Sequence, residues 1–277
     1  MKLRLYHHTD GARVAYRETG TGPGLAILHS ATLSHREFVP IVEDLAVRYR
    51  VVLPDLPLHG DSEDRPRHPY TLEWMTEVIA GFVRDTCGPR PLVAGHELGA
   101  ELALRAAAGG LLSPARLVLM PSPLHRPPPP RRAWRMAARI GAVPLLDRAV
   151  AHGAKLAMRP EVGVRLTAQR NPAARDLVRH AVADAGGNAN LARSWAKFAR
   201  VWPPRGARRE ALDELASLRC PTLLLWADED PRHPLETAEE ALDLLAQGQL
   251  RVLSKTGFLV AYDDPVGVAR ELAAFLG

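Results

Sequence analysis

The segment of the sequence that is best suited to catalytic chemistry has an acidic residue, Glu97, between two glycines, Gly95 and Gly99. An apolar stretch precedes it and a helix-favouring stretch follows it, a pattern that predicts a strand turning sharply into a helix. Such a turn needs small residues on both sides of its strained central residue. A carboxylate at the centre could attack an electrophilic carbon, or could give and take protons. The same sequence pattern also fits a solvated glutamate on an ordinary strand–helix turn.

Residues 91–99 resemble the G-x-S-x-G nucleophile elbow of the α/β-hydrolase fold superfamily, with Glu97 at the position of the serine. Members that open epoxides or cleave carbon–halogen bonds carry an aspartate there, and the segment is more similar to their G-H-D-x-G elbow than to that of an esterase. The resemblance implies an oxyanion hole made by the backbone N–H groups of Ala31 and Leu98. Ser30 stands where the family has a glycine, in the turn after the third strand.

Two further motifs concern the partners of Glu97. Residues 221–231 resemble the strand that carries the family's catalytic acid, which makes Asp230 the matching acid and Asp228 a bystander. Residues 257–265 resemble the segment that carries the catalytic histidine, seven residues before a proline, but that position holds Phe258. The resemblance therefore implies that ordinary serine-hydrolase chemistry is absent.

The resemblance also places other residues around the site. Residues 50–62 resemble the fourth strand and its loop, where we expect Asp55 and His59 to support the scaffold. The further pocket residues that we predict are His29, Ser30, His35, His125 and Phe258.

Strands that alternate with helical patterns predict an α/β fold, an α/β-hydrolase core with a mostly parallel eight-stranded sheet and an inserted helical cap. We expect the core at residues 1–122 and 219–277 and the cap at 123–218. A proline-rich linker at 126–132 would open the cap, because consecutive prolines cannot continue a helix. Amphipathic patterns then predict helices at 133–140, 145–158, 173–183 and 191–202.

The amino-acid composition limits the class of protein to which the chain can belong. The chain has 277 residues, 47% of them hydrophobic, and no apolar stretch long enough to span a bilayer or act as a signal peptide, which favours a cytoplasmic enzyme-sized protein. Its two cysteines form no disulfide framework, and no motif calls for a metal or another cofactor.

Basic residues are concentrated in one part of the chain. Residues 125–210 hold 18 Lys and Arg against five acidic residues, although the net charge of the whole chain is only +5. This charge could attract an anionic small molecule or an acidic carrier protein, or simply solvate helix surfaces; no recognition helix accompanies it to favour nucleic acid.

Three functions remain open. In the first, Glu97 is a general acid or base, helped by Asp230, for epoxide opening, dehydration, lyase or cyclase chemistry on a small, natural-product-like substrate. In the second, the protein has lost catalysis and binds a ligand or a carrier protein. In the third, Glu97 is a covalent nucleophile on an epoxide or alkyl halide. That third function needs a base in place of Phe258, and the sequence offers His35, His125 and His233.

Overall fold

The computed structural model describes residues 1–65, 67–126, 136, 140, 159–186, 191–202 and 209–277. Eight strands of this part form one sheet with the order β1-β2-β4-β3-β5-β6-β7-β8. The strands are β1 (Lys2–His7), β2 (Arg13–Thr19), β3 (Gly24–Leu28), β4 (Arg50–Pro54), β5 (Leu92–Gly95), β6 (Arg116–Leu119), β7 (Thr222–Ala227) and β8 (Gly248–Leu253).

The sheet is mostly parallel. Strand β2 pairs antiparallel with β1 and with β4, whereas all other neighbouring strands pair parallel. Parallel strands end at the same edge of a sheet, so the loops after β3, β5, β6 and β7 meet there, and this is where ligands bind in open α/β sheets. The predicted fold class, a mostly parallel eight-stranded α/β-hydrolase sheet, is confirmed.

Helices cover both faces of the sheet, and a 3-10 helix, His35–Phe38, lies in the loop after β3. The helices are α1 (Val39–Ala46), α2 (Leu72–Cys87), α3 (Leu98–Ala108), α4 (Glu161–Arg165), α5 (Ala174–Gly186), α6 (Leu191–Phe198), α7 (Arg209–Ser217), α8 (Leu235–Leu242), α9 (Val260–Asp263) and α10 (Pro265–Leu276). None of these described helices is both long enough and apolar enough to cross a membrane.

Two apolar cores lie on opposite faces because successive strand residues point to opposite sides. Val93 of β5 packs in the core that α2, α3 and α8 cover, whereas the next residue, Ala94, packs in the core that α1 and α10 cover. The central strands are therefore buried on both faces, which explains why they read as continuous apolar runs instead of alternating patterns.

Helices also fill the described part of the insertion between β6 and β7. The predicted helices at 173–183 and 191–202 correspond to α5 and α6, although α6 ends at Phe198, and α4 and α7 were not predicted. The proline-rich linker and the predicted helices at 133–140 and 145–158 lie almost entirely outside the described residues. The boundaries of core and cap at 122 and 218 stay a prediction.

One carboxylate, Asp263 of α9, makes several of the contacts between the insertion and the core. Its oxygens accept hydrogen bonds from the backbone N–H groups of Ala168 (2.8 Å), Gln169 (3.1 Å) and Gly257 (2.8 Å). The N–H of Leu259 also donates to the carbonyl oxygen of Leu166, at 3.1 Å. The segment after α4 therefore lies against the loop that contains Phe258.

Candidate functional site

The turn between β5 and α3 has the geometry of a strained elbow. Glu97 has φ +47° and ψ −105°, a backbone conformation that residues other than glycine rarely adopt. The flanking glycines are required by space: a Cβ on Gly95 would lie 2.5 Å from the carbonyl carbon of Gly99, and a Cβ on Gly99 would lie 2.2 Å from the carbonyl oxygen of Leu28. The backbone strain is therefore accommodated by the glycines and leaves residue 97 at the tip of the turn.

The side chain of Glu97 folds back onto the two N–H groups that the resemblance implied as an oxyanion hole. Oε2 of Glu97 accepts hydrogen bonds from Ala31 N, at 2.7 Å, and from Leu98 N, at 3.0 Å. Leu98 is also the first residue of α3, whose N-terminus favours negative charge. Among the described residues, no group hydrogen-bonds the other oxygen, Oε1. One oxygen of the carboxylate is thus held while the other is left available.

The turn after β3 is held by a buried carboxylate, Glu37, that sequence reasoning missed. Oε2 of Glu37 accepts from the backbone N–H of Ser30 (2.8 Å) and from its hydroxyl (2.9 Å), while Oε1 contacts Nδ1 of His96. The hydroxyl of Ser30 gives this turn an anchor that the usual glycine could not provide. Burial raises the pKa of Glu37, but the contacts with His96 and Ser30 outweigh it and leave the pKa lowered.

Asp230 lies in a second buried pair, in the loop after β7. Its Oδ2 is 2.7 Å from Nδ1 of His233, and its Oδ1 accepts from the backbone N–H of Arg232 at 2.9 Å. Both side chains are almost fully buried. Burial raises the pKa of Asp230, but the hydrogen bond and the charge of His233 outweigh it and lower the pKa overall. In the described part of the chain, no hydrogen bond joins Asp230 to Glu97.

Phe258 contacts the histidines of both pairs. Its ring centre is 4.6 Å from that of His96 and 5.8 Å from that of His233, and the His233 ring is nearly parallel to it, at 28°. The guanidinium carbon of Arg232 lies 4.7 Å from the same ring. Phe258 also packs with the α5 residue Leu177 in a small apolar cluster. The position that the resemblance assigns to the family's histidine is therefore filled by an apolar ring that contacts two imidazoles.

The other predicted histidines have partners elsewhere. The ring of His29 is bound to the carbonyl oxygen of Ser30 and to the N–H of Leu56, and burial lowers its pKa. Nδ1 of His35 is 2.8 Å from Asp55, which also binds the backbone N–H of His35. His125 binds Glu240 at 2.7 Å. None of the three hydrogen-bonds Glu97 or Asp230 in the described part.

The scaffold residues of the loop after β4 are buried. Burial raises the pKa of Asp55, but its contacts with His35 and other histidines outweigh it and lower the pKa to about 2. Burial lowers the pKa of His59 to about 3. The ring of His59 packs against Trp195 and Phe198 from the insertion.

A surface groove of about 490 Å³ lies away from this site, between α2, α3 and α7. Glu73, Glu77 and Asp213 make it acidic, and Arg105, its one basic lining residue among those described, is paired with Glu101. Within the residues described, no group of three or more His, Cys, Asp or Glu side chains is arranged to hold a metal ion.

Comparison with known proteins identifies the family. Residues 25–271 match the model of the alpha/beta hydrolase family. The chain belongs to the α/β-hydrolase family. Among solved structures, it is similar over its whole length to a thermophilic esterase from Thermogutta terrifontis, with a TM-score of 0.80, 23% identity and 98% of that chain covered. At this identity the similarity shows the fold alone.

Curated relatives in the α/β-hydrolase family match over shorter segments. The chain is 35% identical over 86 residues to the magnesium-chelatase 30 kDa subunit of Rhodobacter capsulatus, which covers 31% of this chain and 30% of the relative. It is 36% identical over 111 residues to the pimeloyl-[acyl-carrier protein] methyl ester esterase of Nitrosomonas europaea, which covers 40% of this chain and 42% of the relative. The chain therefore spans less than half the length of these relatives.

Proposed function

We propose that the protein is an enzyme of the α/β-hydrolase fold whose chemistry depends on the carboxylate of Glu97 instead of a Ser-His-Asp triad, and that it acts on a small molecule without a cofactor. The observation that carries this proposal is the position of Oε2 of Glu97 on the N–H groups of Ala31 and Leu98. An ester-cleaving role in the usual sense is disfavoured, because a carboxylate attacking an ester would give an anhydride.

The geometry best supports Glu97 as a covalent nucleophile. An oxyanion hole serves the oxygen that becomes negatively charged in a tetrahedral intermediate. When Oε1 has been alkylated and water attacks the resulting glutamyl ester, Oε2 is that oxygen, and it already lies on both N–H donors. Substrates for this reaction carry an electrophilic carbon and a leaving group, as epoxides and alkyl halides do.

General acid–base catalysis by Glu97 is the second candidate, and the open Oε1 favours it. A base needs an unoccupied oxygen within reach of the substrate proton, and Oε1 has no partner in the described part. In this reaction, epoxide opening, dehydration, lyase or cyclase chemistry would proceed without an enzyme ester. A substrate enolate or alkoxide would have to displace Oε2 before it could use the hole, which makes this candidate the weaker one. Asp230 would act through His233, which it binds, instead of exchanging a proton with Glu97 directly.

The substrate class is part of the proposal. The excess of basic residues between 125 and 210 supports an anionic substrate or an acidic carrier protein that approaches the insertion. The relative from Nitrosomonas europaea acts on a substrate attached to an acyl-carrier protein, as its name states, which supports the second of these. A cytoplasmic location fits such substrates and is proposed with them.

The deciding experiment replaces Glu97 by Gln, which preserves size and hydrogen bonding but removes the charge. Turnover of a panel of epoxides and alkyl halides should fall by about 10² or more, while circular dichroism stays unchanged. Glu97→Asp should also lose rate, since shortening the side chain by about 1.5 Å withdraws the carboxylate.

Single turnover in H2¹⁸O separates the two reactions. Covalent catalysis incorporates ¹⁸O into Glu97, whereas acid–base catalysis leaves this carboxylate unlabelled. If Glu97→Gln retains full activity, or binds ligand as tightly as the parent in a protein without turnover, the protein is a binding member of the family.

A further inference from the structure

Asp230, the carboxylate that matches the family's catalytic acid, binds a histidine, but this histidine lies at a different place in the chain from the family's histidine. Asp230 binds Nδ1 of His233 at 2.7 Å, and both side chains are almost fully buried. His233 is three residues after Asp230, in the loop between β7 and α8, whereas the family's histidine position, residue 258, is in the loop after β8.

The hydrogen bonds of this pair define which nitrogen of His233 can accept a proton. Asp230 already accepts the backbone N–H of Arg232, and an ionised carboxylate can only accept hydrogen bonds. Nδ1 of His233 therefore carries the hydrogen that Asp230 accepts. In the neutral imidazole this leaves the lone pair on Nε2, on the far side of the ring from Asp230. No residue in the described part hydrogen-bonds Nε2.

The surroundings of His233 keep its ring beside the family's histidine position. The ring stacks on Phe258, with 5.8 Å between the ring centres and 28° between the planes. The indole N–H of Trp226 donates to the carbonyl oxygens of His233 (2.8 Å) and Pro234 (3.2 Å), which fixes the backbone. Phe258 also contacts His96, the residue before Glu97. Asp230 and His233 thus lie beside the ring that contacts the elbow.

We infer that His233, oriented by Asp230, is the catalytic base that replaces the family's missing histidine. The inference rests on the proposed covalent role of Glu97. The structure shows no other histidine that is bound to the family's acid and also contacts residue 258, within the described residues.

The reaction of an alkyl halide illustrates the role. Oε1 of Glu97 forms a bond to the carbon, and halide leaves with the bonding electron pair. Water then attacks the ester carbon of Glu97 while Nε2 of His233 takes one of its protons, and Oε2 becomes the oxyanion on the Ala31 and Leu98 N–H groups. When the intermediate collapses, the bond from the ester carbon to the alkyl oxygen breaks, and the departing alkoxide takes the proton from Nε2. The alcohol leaves, and the carboxylic acid of Glu97 releases its remaining proton to solvent.

The test uses the full chain, 1-bromobutane as the probe and intact-protein mass spectrometry as the measurement. In His233→Gln we expect a protein that gains the mass of one butyl group and keeps it, because alkylation proceeds while ester hydrolysis slows by about 10² or more. His7→Gln is the matched control, since His7 is exposed on the edge strand β1. It should release butanol as fast as the parent. Phe258→His in the His233→Gln background should restore release.

The outcomes separate this inference from the proposed function. If His233→Gln forms the butyl adduct and hydrolyses it at the parental rate, His233 is not the base, although the role of Glu97 stands. If neither the parent nor His233→Gln forms an adduct or butanol, the covalent function is wrong and the inference falls with it. Should His233→Gln fail to fold, His233→Asn is tested in the same way.

A measurement that needs neither a variant nor a substrate tests the tautomer. The ¹⁵N chemical shifts of the neutral His233 imidazole in the parent should show the hydrogen on Nδ1 and none on Nε2. A hydrogen on Nε2 with a bare Nδ1 would leave the ring without a lone pair for water, and would overturn the inference whatever the natural substrate.

Discussion

The two histidine–carboxylate pairs that contact Phe258 are alike in composition and differ in the segments that they connect. At the elbow, His96 is bound to Glu37, whose other oxygen holds both the N–H and the hydroxyl of Ser30. After β7, His233 is bound to Asp230, whose other oxygen holds only a neighbouring backbone N–H. The elbow pair therefore connects two segments distant in sequence, whereas the second pair lies within one loop.

This difference separates a structural pair from one available for chemistry. Glu37 ties the elbow to the turn that presents the N–H of Ala31, and Nε2 of His96 is buried without a hydrogen-bond partner among the described residues. Such a network stabilises the turn that holds the N–H of Ala31 beside Glu97. In the part of the chain that the structure describes, no side-chain hydrogen bond of Asp230 or His233 reaches a second segment. We therefore expect changes at the elbow pair to act mainly on stability, and changes at the other pair to act mainly on rate.

The largest expected effect is on the rate of Asp230→Asn. An asparagine can turn its NH2 group toward Nδ1 of His233 and so place the hydrogen on Nε2, the wrong nitrogen for a base. We expect turnover on an active substrate to fall by roughly 10³–10⁴, as for the equivalent change in a Ser-His-Asp triad. Asp228→Asn is the control, because Asp228 binds only the N–H of Thr256 in the contacts described. An equal fall in both variants would remove the distinction between the pairs.

The next effect is on the stability of Glu37→Leu. Removing one partner of a buried pair typically costs about 3–5 kcal/mol, and here the N–H of Ser30 also loses its acceptor. Urea unfolding followed by tryptophan fluorescence measures the loss. The control is Glu43→Leu on the exposed face of α1, which should leave the midpoint nearly unchanged. A cost below about 1 kcal/mol, the level of exposed ion pairs, would show that the elbow pair is not structural.

The pH dependence of stability should sharpen the same comparison. The folded pKa values of Glu37 and Asp230 are lowered from 4.5 and 3.8, so their contribution is complete above these values and is lost as the pH falls through the folded ones. The free energy of unfolding should therefore fall from pH 5 downward, and less steeply in Glu37→Gln and in Asp230→Asn.

The effect of His59 on stability begins at a higher pH. Its pKa is lowered from 6.5 to about 3, so it also destabilises the fold as the pH falls, but beginning near 6.5. His59→Asn should flatten the dependence of stability on pH between 6.5 and about 3, and should leave the dependence below about 3 unchanged. A profile that stays unchanged in this variant would show that the folded protein protonates His59 as readily as the unfolded chain does.

The smallest expected effect is a gain of esterase activity by reversion. Glu97→Ser with Phe258→His places a serine and a histidine at the positions that the resemblance assigns to the family's nucleophile and base, but Asp230 would still bind His233 instead of the new imidazole. Adding His233→Val frees Asp230, so the triple variant should hydrolyse p-nitrophenyl acetate weakly but faster than the double variant, and the parent should not hydrolyse it measurably. A double variant as active as the triple one would mean that Asp230 is not committed to His233.

Motif spacing predicted the fold from the sequence because each motif carries a local steric demand. Gly95 and Gly99 are such a case, since a Cβ at either would collide with backbone. Spacing could not reveal Glu37, which meets His96 only after the chain has folded across 59 positions. The placement of Oε2 in the hole was also beyond sequence reasoning, because it depends on the rotation of a flexible side chain. The pair of Asp230 and His233 was visible only as two letters three positions apart.

The elbow also determines how easily this protein can change its chemistry. Its strained backbone is held by two glycines, by the bond from Glu97 N to the carbonyl oxygen of Pro121, and by the bond from Glu101 N to the carbonyl oxygen of Glu97. None of these involves the side chain at position 97. Substitution of the side chain at position 97 should therefore cost the fold little stability, so one mutation can replace one reactive group by another. Directed evolution toward new reactions should begin at this position.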